Sequence, residues 1–94
     1  MTQGLTVAIV DDEPDILVAL EDLFEDAYHV VAAHSGREAL ARLEALGDVA
    51  VIVSDQRMPE MTGDAFLAQA RTISDAQAIL LTGYADLGSD RKSV

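Results

Sequence analysis

Three places in the chain put an oxygen-bearing side chain where an apolar run stops. Asp11-Asp12-Glu13 ends LTVAIV, Asp55 ends VAVIVS, and Thr82 ends AQAILL. A strand that needed only a turn would be served by Asn, Gly or Ser. Consecutive carboxylates repel one another, so their presence asks for a positive partner. Brought within a few ångströms, Asp11, Asp12 and Asp55 would raise one another's pKa and weaken the fold. Mg²⁺ removes that conflict: it is hard, prefers oxygen, and is held by one or two carboxylates with several waters retained. An ionised Asp is also a nucleophile, and carboxylates of this kind form acyl phosphates. A cation bridging the carboxylates and an incoming phosphoryl group would neutralise charge during transfer. The Thr82 hydroxyl would then hydrogen-bond the new phosphate. The chemistry expected here is phosphoryl acceptance on Asp55.

These residues meet only if the elements between them place them so. LTVAIV, from Leu5 to Val10, reads as a strand. Pro14 suits the first position of a helix, where its missing N–H is not needed. Ile16, Leu17, Leu20 and Phe24 then recur at helical spacing, predicting a helix to about Glu25. YHVVAAH is a second strand. Ser35 and Glu38 form an S-x-x-E capping box that opens a second helix. Its apolar stripe is Ala39, Leu40, Leu43 and Leu46, and Gly47 ends it. VAVIVS, from Val49 to Ser54, is apolar without alternation, as a central strand covered on both faces should be. Met58-Pro59 to Gly63 reads as a loop, followed by a third helix carrying Phe66, Leu67, Ala70 and Ile73. AQAILL, from Ala76 to Leu81, is the fourth strand.

The order β-α-β-α-β-α-β predicts an α/β fold with a doubly wound parallel sheet and right-handed crossovers. Such sheets bind ligands beyond the carboxyl ends of their strands. Asp11-Asp12, Asp55 and Thr82 all fall there. Points far apart in the chain are thus expected on one rim.

Composition limits the alternatives. Ninety-four residues, half of them apolar, make one small domain. No stretch reaches the ~18 apolar residues of a membrane span. The N-terminus lacks the basic start and cleavage site of a secretory signal, and there is no cysteine. A cytoplasmic setting is expected. Seventeen acidic side chains stand against six basic ones, for a net charge of −11. Eight of the acids lie between Asp11 and Asp26 with no Lys or Arg among them. That field repels a phosphate backbone, so direct nucleic-acid binding is not expected. Glu21, Asp22, Glu25 and Asp26 are read as a solvated helix face, and His29 and His34 as structural.

VAIVDDEPD, then VIVSDQRMPEMTG, then ILLTGY resembles the receiver domain of bacterial response regulators. The likeness runs from about Leu5 to Leu87, and its wording is most similar to receivers of enhancer-binding transcription activators, hydrogenase-gene regulators among them. It implies a flavodoxin-like sheet of order 2-1-3-4. It implies Asp55 as phosphoacceptor, with Mg²⁺ ligated by the side chains of Asp12 and Asp55, by the Arg57 backbone carbonyl, and by Asp11 through water. Thr82 with Gly83 would be the switch and phosphate-binding pair. Met58, Pro59, Met61 and Gly63 would shape the loop after the acceptor. The phosphoryl group would come from a sensor histidine kinase. No turnover enzyme is implied, only self-phosphorylation and autodephosphorylation on Asp55.

The family's last helix-strand-helix has no counterpart after Leu87, where the chain reads GSDRKSV. Lys92 is the only lysine and follows Thr82 too soon to be the family's phosphate-binding lysine, which is therefore assigned to no residue. Residues 88–94 are expected to form a disordered polar tail. Without a fifth strand, the fourth becomes an open edge, and self-association or domain swapping is expected. A non-enzymatic interaction module on the same scaffold is the competing reading. Two others fit poorly. An aspartyl phosphatase needs a second Asp two residues on, where Asp11 has Glu13 and Asp55 has Arg57. An EF-hand loop at DDEPD is barred by Pro14 and the missing glycine.

Overall fold

The computed structural model describes residues 4–81. Four strands, β1 (Thr6–Val10), β2 (His29–Ala33), β3 (Val51–Asp55) and β4 (Gln77–Leu81), alternate with three helices, α1 (Pro14–Phe24), α2 (Gly36–Leu46) and α3 (Gly63–Ala70). The strands form one parallel sheet of order β2-β1-β3-β4. β1 and β3 are its centre, which explains why their sequences are apolar without alternation.

The two faces of the sheet are covered separately. On one face Val7, Ile9 and Val53 pack with Leu17 of α1, backed by Leu20 and Phe24. On the other, Ala8, Val10 and Ile52 pack with Ala39 and Leu43 of α2 and Phe66, Leu67 and Ala70 of α3. Phe66, Ile9 and Leu43 are the largest side chains that are fully buried. Most residues of the helical stripes read from the sequence face the sheet, but Ile16 and Leu46 are exposed, at 42% and 40%, and Ile73 lies beyond the end of α3.

Local signals set most of the helix ends. Pro14 stands at the start of α1, and the extended Glu13 before it makes no side-chain cap. Ser35 Oγ accepts the Glu38 amide at 3.1 Å, half of the expected capping box. The other half is shifted by one residue: Glu38 Oε1 accepts the His34 amide at 2.8 Å rather than that of Ser35. The same carboxylate lies 3.4 Å from His34 Nδ1 and 3.3 Å from Arg42. Those contacts, with the amide of His34 first, hold its pKa below the usual carboxylate range. His34 is thus part of a helix-start network, as its structural reading requires.

α3 begins earlier than its apolar residues suggest and ends before Ile73. Gly63 is its first residue rather than the last of the loop. The reason is long-range: the Gly63 amide donates to the Gln56 carbonyl at 3.0 Å, pulling the chain into helical register behind Asp55.

Candidate functional site

β1 delivers the acidic pair. The Asp11 amide extends the β1–β2 ladder by donating to the Ala33 carbonyl at 3.1 Å. The Asp11 carboxylate turns back and accepts the Glu13 amide at 2.9 Å, closing an Asx-turn that feeds into α1. Asp11 is buried, at 4% exposure. So the turn role is real, but Asn would fill it equally well, and it leaves the charge unexplained.

β3 delivers the third carboxylate. In the parallel register Val10 stands beside Ser54, so Asp55 falls at the level of Asp11. One carboxylate oxygen from each of Asp11, Asp12 and Asp55 lies within 4.8 Å of the other two. Two full charges that close repel by roughly 3 kcal/mol at an effective dielectric near 20, before water and salt reduce the figure. The expected meeting of Asp12 and Asp55 over one sheet edge is therefore present, with Asp11 beneath them. Hard oxygen ligands in this number suit a cation such as Mg²⁺, which completes its shell with water.

Burial, above all, raises the pKa of Asp11; the Glu13 amide opposes the shift, and the negative charges of Asp55, Asp12 and Glu13 add to it. The sign of its effect on stability follows. A carboxyl whose folded pKa exceeds the unfolded value binds its proton more tightly in the folded state, so stability falls as pH rises through that window and stays lowered above it. At neutral pH, ionised Asp11 costs stability that acid, a neutral substitution or a cation recovers. Asp11→Asn keeps the acceptor for the Glu13 amide and removes the charge. Without divalent metal at pH 7 it is expected to raise the thermal midpoint by several degrees, each ~1 kcal/mol being worth about 4–8 °C at this size. The gain should shrink as pH is lowered into the carboxylate range, and a variant less stable than wild type at pH 7 would contradict the account.

The loop after Asp55 is held by contacts that motif reading does not reveal. Ser54 is fully buried, and its hydroxyl donates to the Asp55 carbonyl at 3.0 Å. A Cβ on Gly63 would overlap the Asp55 carbonyl oxygen and sit 2.9 Å from the Gln56 Cα. Gly63 is demanded here by close backbone approach, with no unusual dihedral of its own. Gly36 on α2 is more permissive: a Cβ there would lie 2.7 Å from Met61 Sδ, on a flexible side chain that can shift, and 3.2 Å from Phe66 Cβ. Met58 is buried in the α2–α3 core and Met61 packs at its margin, so both methionines are packing residues. Pro59 accepts the Met61 amide at 2.7 Å through its carbonyl, and Glu60 adopts a left-handed φ of 71°. Arg57 is exposed beside Asp55.

Of the residues singled out from sequence, the structure brings the carboxylates of Asp11, Asp12 and Asp55 together; Arg57, Met58 and Pro59 lie in the loop that follows Asp55, with Met58 buried in the core, and Gly63 opens α3. Thr82, Gly83, Tyr84, Lys92 and the tail lie outside the described residues. Ser54, Gln56 and Gly36 were missed. The lone hydroxyl inside VIVSD was a signal for Ser54, since a buried polar group needs a partner. Nothing local marks the other two.

Comparison with known proteins agrees with this geometry. The sequence profile of the response regulator receiver domain matches residues 7–93. The sensor kinase CckA of Brucella abortus is 40% identical over 89 residues, covering 92% of this chain and 9% of that protein. The hydrogenase transcriptional regulatory protein HoxA of Cupriavidus necator is 38% identical over 82 residues, covering 86% of this chain and 17% of that one. The chain thus spans less than a fifth of the length of these relatives. Among solved structures, a chain from the complex of histidine kinase ThkA with response regulator protein TrrA superposes with a TM-score of 0.74 at 35% identity, covering 85% of this chain and 70% of its own. The sheet order, the acidic rim and the profile match agree: the chain belongs to the response regulator receiver domain family.

Proposed function

We propose that this domain takes a phosphoryl group from a sensor histidine kinase onto Asp55, with Mg²⁺ held at the acidic rim. The observation that carries this reading is the convergence of Asp11, Asp12 and Asp55 within 4.8 Å. Asp12 and Asp55 would hold the cation through side chains, Arg57 through its backbone carbonyl and Asp11 through water. When bound, Mg²⁺ supplies positive charge that offsets the negative charge shared by carboxylates and phosphoryl oxygens. An Asp55 carboxylate oxygen attacks phosphorus, the P–N bond to the donor imidazole breaks, and the imidazole nitrogen recovers a proton. The product is an acyl phosphate. Thr82, with Gly83, would hydrogen-bond the new group, and the output is a population shift of the switch surface. Met58, Pro59 and Gly63 keep the acceptor loop in place.

The domain works in the cytoplasm, within a core of residues 5–87, and its output is regulation of transcription, as the name of the relative HoxA suggests. Among the described residues no helix is long and apolar enough to cross a membrane, and the net charge of −11 disfavours nucleic acid. The test is intact mass after incubation with a small phosphoramidate, with and without Mg²⁺. A metal-dependent gain of one phosphoryl group is expected; no gain in any condition would remove the proposal.

One observation favours a second reading, self-association, including exchange of elements between copies. All five residues of β4 are exposed, with Ile79 at 49% and Leu80 and Leu81 at 36% each. Among the described residues nothing pairs with its outer edge, and Gln77–Leu81 carries no charge or proline of the kind that blunts edges. Sedimentation tests it: a concentration-independent monomer excludes self-association.

A further inference from the structure

The side chain of Gln56 does something that its place next to the acceptor does not explain. Its Oε1 accepts the Asp64 amide at 2.9 Å, across eight residues of chain. Its backbone carbonyl accepts the Gly63 amide at 3.0 Å, and its own amide donates to the Leu81 carbonyl of β4 at 3.1 Å. Three hydrogen bonds from one residue thus join the end of β3 to β4 and to the first turn of α3.

The cap of α3 is otherwise incomplete. Thr62 holds the N-cap position but makes no side-chain bond to the helix backbone; its hydroxyl donates instead to Asp64 Oδ1 at 2.7 Å. An uncapped helix start leaves amides without partners, and Gln56 supplies one from outside the helix. Between the two ends of this clasp the loop carries the left-handed Glu60, so the loop does not settle into this shape without restraint. Asp55 is the residue directly before the clasp, and its carbonyl is pressed against Gly63. A first turn of α3 that drifts therefore drags the Asp55 backbone with it.

We infer that Gln56 is a positioning residue for Asp55: by capping α3 from the strand end, it sets where the third carboxylate stands relative to Asp11 and Asp12. This rests on the reading of the rim as a Mg²⁺ and phosphoryl site. Proteins that hold reacting groups to within a fraction of an ångström do so through such supporting contacts.

The test uses the full 94-residue chain. Gln56→Leu keeps the size and removes the acceptor; Gln56→Glu keeps an acceptor at the same reach. Adding Thr62→Asn to the Leu variant gives α3 a local cap and restores the stability lost with Gln56. Three quantities are read: Mg²⁺ affinity from the Asp12 amide shift, phosphorylation rate with a phosphoramidate, and the melting midpoint. Gln56→Leu is expected to weaken Mg²⁺ binding and slow phosphorylation at least fivefold. Gln56→Glu should keep at least the wild-type Mg²⁺ affinity, since its added charge favours the cation, and the recapped double variant should recover the midpoint but not the affinity. If recapping restores both, or if Gln56→Leu changes the midpoint alone, Gln56 is merely structural and the inference is overturned while the site stands. A wild-type chain that neither binds Mg²⁺ nor takes a phosphoryl group overturns the reading of the site, and this inference with it.

Discussion

Asp55→Asn is expected to abolish the phosphoryl gain seen by intact mass, with the fold retained. The change replaces one carboxylate oxygen with NH₂ at equal size, so β3 keeps its register beside β1 and β4. An amide nitrogen whose lone pair is delocalised into the carbonyl does not attack phosphorus as a carboxylate does, and the acyl phosphate has no atom on which to form. One of three close negative charges also disappears, which relieves Asp11 and Asp12. The variant should therefore melt at or above the wild-type midpoint in metal-free buffer. Loss of the mass gain with an unchanged far-UV spectrum assigns the acceptor. A full gain in Asp55→Asn would move the acceptor to another carboxylate and remove the central claim.

Gly63→Val should damage stability and site together. A Cβ at residue 63 would overlap the Asp55 carbonyl oxygen and stand 2.6 Å from Leu80 Cδ1 and 2.9 Å from the Gln56 Cα. Leu80 can turn aside; the two backbone groups cannot. The chain must separate α3 from the end of β3, which breaks the Gly63 amide bond to Gln56 and strains that of Asp64. Overpacking of this kind costs about 2–3 kcal/mol, a large share of the roughly 5–15 kcal/mol that holds a small domain folded. The midpoint should fall by about 10–20 °C. Because the displaced group is Asp55 itself, Mg²⁺ binding should fall beyond what partial unfolding explains, even well below the new midpoint. A variant that keeps wild-type affinity while folded would show that the close approach does not position the acceptor.

Much of this protein was legible in its residues. The apolar run of β3 announced a buried central strand, because a strand covered on both faces has no polar side to show. Pro14, Ser35 and Gly47 marked helix ends through conformations and hydrogen bonds that depend on immediate neighbours alone. The alternation of strands and helices then implied a parallel sheet, and a parallel sheet gathers its strand ends on one rim. That geometry let Asp11, Asp12 and Asp55 be grouped across more than forty positions of sequence.

What only the tertiary structure decided depends on pairs of distant atoms. The start of α3 at Gly63 follows from its amide meeting the Gln56 carbonyl, which no periodicity records. The need for glycine at residue 63 comes from the Asp55 carbonyl at the end of β3, and it is invisible to local propensity. The Glu38 carboxylate accepts the His34 amide rather than that of Ser35, a partner that the capping-box pattern does not name. Asp11 became the buried member of the acidic group because its amide continues the ladder to β2. Local chemistry specifies what each segment prefers; where segments touch, packing and hydrogen bonding between them settle the rest.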